Sequence, residues 1–371
     1  VSGAPETPGR SHGRGTNINP PNRFERISIA PRGPDEPADT FDTVDTVDPV
    51  DPSLERPVPT VFFRDASRSV LARNDSPDIP FTYSLNPYRG CEHGCAYCYA
   101  RPSHEYLGFS AGLDFETKIL VKEDAPELLR REMSRASWTP QMVALCGNTD
   151  PYQPVERRLR ITRGCLEVFL DLRNPVGVIT KNSLILRDLD LIASLASMRL
   201  AAVTLSITTL RADFARKLEP RTSSPEKRFD AVEKLAAAGV PVSVFIAPVI
   251  PGLNDHEIPA ILAEAASRGA TRASCTMLRL PGPVEPIFLE WLKREVPEAA
   301  KKVEGRLREA RGGKLNDARF GKRMSGEGEA AAAIHSLFRI TAARLGLDRE
   351  GPGFDTTLFR RREPGQGELF G

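Results

Sequence analysis

Aromatic residues make up only 7% of this 371-residue sequence, and two of them are tryptophan. Charge of one sign is missing too. Lys and Arg number 51 against 49 Asp and Glu, a net +2 that is too close to neutral to argue for a nucleic-acid partner. No run approaches the ~20 apolar residues of a membrane-spanning helix, and no apolar block near the start reads as a secretory signal, so a soluble, cytoplasmic protein is expected. Cysteine is sparse as well: six in this length cannot build a disulfide scaffold. The length allows one large domain or two ordinary ones, with a core that needs no covalent staples.

Residues 1–60 hold 11 of the 32 prolines and the acidic near-repeat 42–49, so most of this tail is expected to be disordered. One stretch within it, from Gly13-Arg14-Gly15 to Asn22-Arg23-Phe24-Glu25, is less random and reads either as a docking segment or as solvated tail. Residues 61–282 form the expected core. Candidate strands at 81–85, 118–121, 141–146, 176–180, 202–207, 242–247 and 272–278 alternate with helix-like stretches at 125–135, 163–172, 183–196, 225–238 and 256–267. Ser224 before Pro225 and Gly239 at the other end are the expected caps of the 225–238 helix. Alternating strands and helices imply right-handed parallel βαβ units. The fold class is therefore α/β, a partial (β/α)6 barrel of TIM type, with reactive loops at the C-terminal ends of its strands. Residues 283–371 read as a helical extension, with helices at 286–309 and 329–345. Its stretch 301–323 carries nine Lys and Arg against three acids, either a candidate phosphate-binding surface or a solvated helix face.

Three of the cysteines fall within eight residues: Cys91-x3-Cys95-x2-Cys98, directly after the first candidate strand. Gly90 and Gly94 let the loop curl tightly. Three thiolates on one short loop can ligate three irons of a [4Fe–4S] cluster and leave the fourth iron open to a substrate or cofactor. The structural alternative is a Cys3His zinc knot using His93 or His104, which fits the usual zinc spacings poorly.

The run Cys91-Glu92-His93-Gly94-Cys95-Ala96-Tyr97-Cys98-Tyr99 resembles the cluster loop of the radical S-adenosylmethionine (SAM) superfamily, with Tyr97 as its aromatic position. More narrowly, residues 78–282 resemble the spore photoproduct lyase branch and its DNA-repair-lyase-like relatives. The runs that carry this likeness are Val143-Ala144-Leu145-Cys146, Val178-Ile179-Thr180-Lys181, Leu205-Ser206-Ile207, 218–224 and 244–250. The resemblance implies a [4Fe–4S] cluster on Cys91, Cys95 and Cys98, with SAM chelated to the open iron. It also implies an electron donor such as flavodoxin or ferredoxin, and a 5′-deoxyadenosyl radical that abstracts hydrogen from the substrate.

The same resemblance assigns further residues. Gly147-Asn148-Thr149-Asp150 stands where superfamily members usually have a Gly-Gly-Glu-like turn for the SAM amino group, so Thr149 and Asp150 are the expected acceptors. Lys181 would pair with the SAM carboxylate, or else is a strand-end surface lysine. Ser206 would donate to the carboxylate or ribose, or else is a core hydroxyl. Glu219 and Arg221 would wall the methionine moiety or form a structural ion pair, and adenine would lie on Tyr97 and the 247–250 strand end. Cys146 would give hydrogen to the substrate radical, with Tyr97 and Tyr99 relaying the radical back; the alternative for Cys146 is a small buried hydrophobe. For the substrate, three readings compete. They are radical repair or modification of nucleic acid, with Arg308, Arg311, Lys314, Arg319, Lys322 and Arg323 on phosphates; modification of a small molecule or protein side chain; and a non-enzymatic iron–sulfur redox sensor.

Overall fold

The computed structural model describes residues 13–24 and 58–361. The expected disorder of residues 1–60 falls mostly outside these. Two sheets organise the chain. The larger runs, in spatial order, β10 (Arg272–Met277), β9 (Val242–Val249), β8 (Ala201–Ser206), β7 (Val176–Thr180), β6 (Val143–Leu145), β3 (Tyr83–Leu85) and β2 (Leu71–Arg73). The six strands from β3 to β10 are parallel, and only β2 joins antiparallel. This is the expected partial barrel, left open between its edges. Burial alternates along β7 and β9, so one face of each strand packs inward. The connecting helices cover the outside, as right-handed crossovers require.

The strand at 118–121 departs from expectation. It is β5 (Lys118–Val121), and it pairs with β1 (Val61–Arg64) and β4 (Tyr88–Arg89) in a separate three-stranded sheet beside the barrel. The helix expected at 286–309 is two helices, Val284–Glu295 and Pro297–Glu309. Pro297 has no N–H to continue the first helix and drives the residue before it out of helical backbone; Val296 sits at φ −143°, ψ 54°. The stretch at 183–196 begins as a 3-10 turn, Ser183–Asp188, before the α-helix Leu189–Ser197. Between Pro225 and Ala237 the helix has its expected caps, Ser224 Oγ accepting from Lys227 N and Gly239 at φ +76°.

The C-terminal helices close one end of the barrel. Phe288 and Trp291 stack with centroids 5.5 Å apart, Phe214 meets Trp291 edge-on, and the indole N–H donates to the Lys217 carbonyl. Burying each such ring contributes about 2–3 kcal/mol, which ties the extension to the core. No described helix is long and apolar enough to cross a membrane.

Candidate active site

The cysteine loop leaves β4 at the C-terminal mouth of the barrel, and every turn of it is pinned from behind. Cys91 N donates to Phe115 O, Cys98 N to Cys95 O, and Ala96 N to Leu218 O. Arg101, fully buried, forks onto the Cys95 carbonyl with Nε and Nη2 at 3.1 and 2.8 Å, and reaches the Ala111 and Gly112 carbonyls and Glu116. Glu92 accepts from Val155 N and pairs with Arg221 at 3.1 Å, while its own N–H donates to Gln153. All three thiols are free. Burial pushes Cys95 and Cys98 up, Cys95 further under the influence of Glu219. Neither histidine of the zinc alternative is free to join these thiols. His104 lies behind the loop among Phe109 and Phe115, and His93 pairs with Asp150 at 3.4 Å. The donor set fits a cluster instead: three thiols on one loop, each available to a separate iron.

The residues 13–24 form a strap across the back of this loop. Arg14 donates to the carbonyls of Glu116 and Val58 and to Thr60 Oγ1, and Gly15 N donates to Glu116 Oε2. Gly15 lies so close to the loop that a Cβ there would stand 1.6 Å from the Gly94 carbonyl oxygen. Further along, Asn22 and Arg23 hold the Glu105 region, and Phe24 stacks on Tyr106.

In front of the loop, Lys181 follows β7 and holds its ammonium 5.8 Å over the Tyr97 ring, facing Glu219 and the Cys95 and Cys98 thiols. It has no ion pair among the described residues. Tyr97 is buried, and its hydroxyl donates to Glu219, which also accepts from Thr208 at 2.6 Å and pairs with Arg228. Burial would raise Glu219, but Arg228, then Lys181, hold it below the usual carboxylate range. The two members of the expected Glu219–Arg221 pair are therefore partnered elsewhere, Glu219 with Arg228 and Arg221 with Glu92. Ser206 is buried at the end of β8, and its carbonyl accepts from Arg228.

Thr149 and Asp150 are occupied by the fold. The Thr149 hydroxyl donates to the Tyr88 carbonyl, and Asp150 accepts from Thr180 Oγ1, Lys181 N and Tyr152 N. Against the penalty of burial, the His93 charge and these donors bring Asp150 down to about 2. Cys146 ends β6, buried, its thiol pushed up to about 12 by desolvation. Tyr99, 51% exposed, donates its hydroxyl to the carbonyl of Gly147, next to Cys146, at 2.5 Å. Tyr99 lies close enough to the Cys146 thiol for the two groups to interact.

The basic stretch is largely neutralised by its own neighbours. Arg308 pairs with Glu304, Arg319 with Asp317 and Glu327, Lys322 with Glu327, and Arg323 with Asp78. Arg311 turns inward onto the Leu278 and Lys322 carbonyls, and Lys314 stays exposed.

Residues 85–265 match the sequence model of the radical SAM superfamily. That stretch, residues 85–265, is a radical SAM domain. A Mycobacterium tuberculosis protein described only as uncharacterised is 39% identical over 222 residues, 59% of this chain and 65% of that one. A Methanocaldococcus jannaschii protein, likewise uncharacterised, is 31% identical over 47% of this chain and 63% of its own length. The chain thus spans just under two thirds of these relatives. A radical SAM Nα-GlyT isomerase of Pseudomonas phage M6 is 26% identical over 76% of this chain and 55% of that protein. Among solved structures, a spore photoproduct lyase variant with bound AdoMet and dinucleoside spore photoproduct superposes with a TM-score of 0.54 at 17% identity, covering 77% of this chain and 79% of that one. At that identity the likeness shows a shared fold and nothing further.

Arg101, Glu116, Arg228, Gln153 and Asn86, whose side-chain oxygen accepts from Asn148 N and Thr149 N, hold this site together, and the sequence does not single them out. The signal for them is weak: each is a lone polar residue outside any motif, and Asn86 and Gln153 find their partners some sixty positions away.

Proposed function

We propose that this chain is a radical SAM enzyme that carries a [4Fe–4S] cluster on Cys91, Cys95 and Cys98 and acts on nucleic acid in lyase-type repair or modification. When bound, cluster and SAM together supply one-electron cleavage of SAM to a 5′-deoxyadenosyl radical, with the electron from a donor such as flavodoxin or ferredoxin. The observation that carries the reading is the pairing of three free thiols on a pinned loop with a cation, Lys181, that has no ion pair among the described residues and faces them across the barrel mouth. Lys181 would hold the SAM carboxylate, and Glu219, fixed by Arg228 and Thr208, would keep Tyr97 oriented beneath it. Thr149 and Asp150 would act through the backbone turn they fix, because their side-chain oxygens are already engaged. Ser206 and Arg221 would line the pocket as its floor and rim.

The Tyr99 hydroxyl reaches the Gly147 carbonyl beside Cys146, a neighbourhood that supports a relay between this thiol and phenol. A thiol kept protonated by burial retains the hydrogen that such a donor must give. The support for nucleic acid is the likeness to structures of spore photoproduct lyase, one of which holds a dinucleoside spore photoproduct. Modification of a small molecule or protein side chain is favoured by a different observation, the internal pairing of the basic stretch.

Anaerobic cluster reconstitution, dithionite reduction with SAM and chromatography of 5′-deoxyadenosine test the core reading. Product is expected from the native chain and not from Cys95→Ala, which should also lose the brown absorbance. Zinc in place of iron would overturn the assignment. With a turned-over substrate, Cys146→Ala should stop multiple-turnover product formation, and an unchanged yield would remove the donor role.

A further inference from the structure

Arg279 stands two residues beyond β10, at the rim where Tyr99 emerges. Its backbone is held on both sides: Leu278 N donates to Val249 O, the Leu278 carbonyl accepts from Arg311, and Leu280 N donates to Asn316 Oδ1. The side chain lacks such support. Its guanidinium lies 5.6 Å over the Tyr99 ring, and among the described residues Nη1 reaches only the Met324 sulfur at 3.5 Å while the buried Nε has no partner. A guanidinium offers five donors, and a thioether is a weak acceptor for one of them. The nearest carboxylate, Asp78, is already engaged by Gly321 N and by Arg323 Nε. Burial and the neighbouring Arg323 charge both act to lower Arg279. An under-partnered, part-buried cation costs stability unless something completes it.

We propose that Arg279 is an oxyanion-binding residue that receives one phosphodiester of a nucleic-acid substrate at the barrel mouth. The proposal rests on the nucleic-acid reading above. The surroundings favour a nucleotide over a plain carboxylate. Beyond Arg279, Arg323 lies 4.5 Å from the Phe320 ring, and Phe320 is 59% exposed. Arg323, held by Asp78, is the charge that acts on Arg279, so the exposed Phe320 ring it carries offers a base a stacking face near the unfilled guanidinium. Tyr99 carries Arg279 on its ring, so the anion would be placed within reach of the Cys146–Tyr99 edge of the site.

The test is calorimetric titration of the reconstituted chain, at about 50 mM salt, with thymidylyl-(3′→5′)-thymidine, thymidine, inorganic phosphate and acetate. Native protein, Arg279→Met, Arg279→Lys and the remote surface control Lys234→Met are compared. The dinucleotide is expected to bind at least tenfold more weakly to Arg279→Met, with partial recovery in Arg279→Lys and no change in Lys234→Met or in thymidine affinity. The thermal midpoint of Arg279→Met should be equal to or above that of the native chain, because the variant removes an uncompensated charge. Equal dinucleotide affinity in native protein and Arg279→Met overturns the proposal while leaving the nucleic-acid reading in place. Tighter binding of acetate than of phosphate or dinucleotide, or no dinucleotide binding by native protein, overturns both. A clearly lowered midpoint in Arg279→Met assigns the residue a structural role instead.

Discussion

Replacing Arg101 with Met keeps most of the side chain's length while removing every contact of its head. The native guanidinium is 0% exposed and makes five hydrogen bonds, two to the Cys95 carbonyl, one each to Ala111 and Gly112, and one to Glu116. Glu116 is equally buried, so the variant strands a carboxylate with only Gly15 N still donating to its side chain. Breaking a buried pair in this way costs about 3–5 kcal/mol. With about 2.1 cal/mol/K of unfolding entropy per residue over roughly 300 ordered residues, the expected loss is about 6 °C in thermal midpoint. The assay is anaerobic thermal unfolding with iron counted per chain, for Arg101→Met, Glu116→Gln and the double variant. The double variant should recover more than half of the midpoint, because both charges are gone. Its iron content should stay low, because the Cys95 carbonyl still lacks its clamp. An Arg101→Met protein that unfolds within 1 °C of native and carries full iron would refute the reasoning.

Gly15→Ala sets a methyl group where 1.6 Å separates it from the Gly94 oxygen, so the strap must lift; trypsin should then cut after Arg14 at least tenfold faster, and unchanged cleavage would show the strap is held elsewhere. His104 is buried beside Phe115, near Asp114 and Lys118, and burial lowers it to about 4. A base depressed from 6.5 in the unfolded chain stabilises the fold fully above that pH and loses its contribution as pH falls toward 4. Between pH 7.5 and 5.5 the loss is about 1.4 kcal/mol, and urea unfolding of His104→Phe should lack that increment relative to native protein. Lys181→Met should raise the KM for SAM in 5′-deoxyadenosine formation at least tenfold while cluster absorbance remains, and an unchanged KM would move the carboxylate contact to another residue.

The parts of this molecule that were legible in its sequence are those written locally. Three ligands within eight residues, a strand–helix alternation and a Ser-Pro cap need no distant partner to be recognised. Residues 118–121 show the limit of that reading. Their apolar pattern is the same as a barrel strand's, and only pairing with residues 61–64, more than fifty positions away, assigns them to the other sheet. Thr149 and Asp150 were chosen because they carry acceptor oxygens, yet a sequence lists acceptors without showing which are filled; Tyr88, Thr180 and the Lys181 amide fill these. Charge behaves the same way. The nine cations of 301–323 outnumber the acids of their own window, but Asp78 and Asp255, far off in the chain, neutralise Arg323 and Arg306. Arg279, set between two leucines, attracts no notice by composition, yet the fold leaves its donors largely unfilled among the described residues. Availability for a ligand is therefore fixed by the partners a group finds in space, and a dense run of charge, which recruits its own counter-ions, is a poorer guide to it than one guanidinium in apolar surroundings.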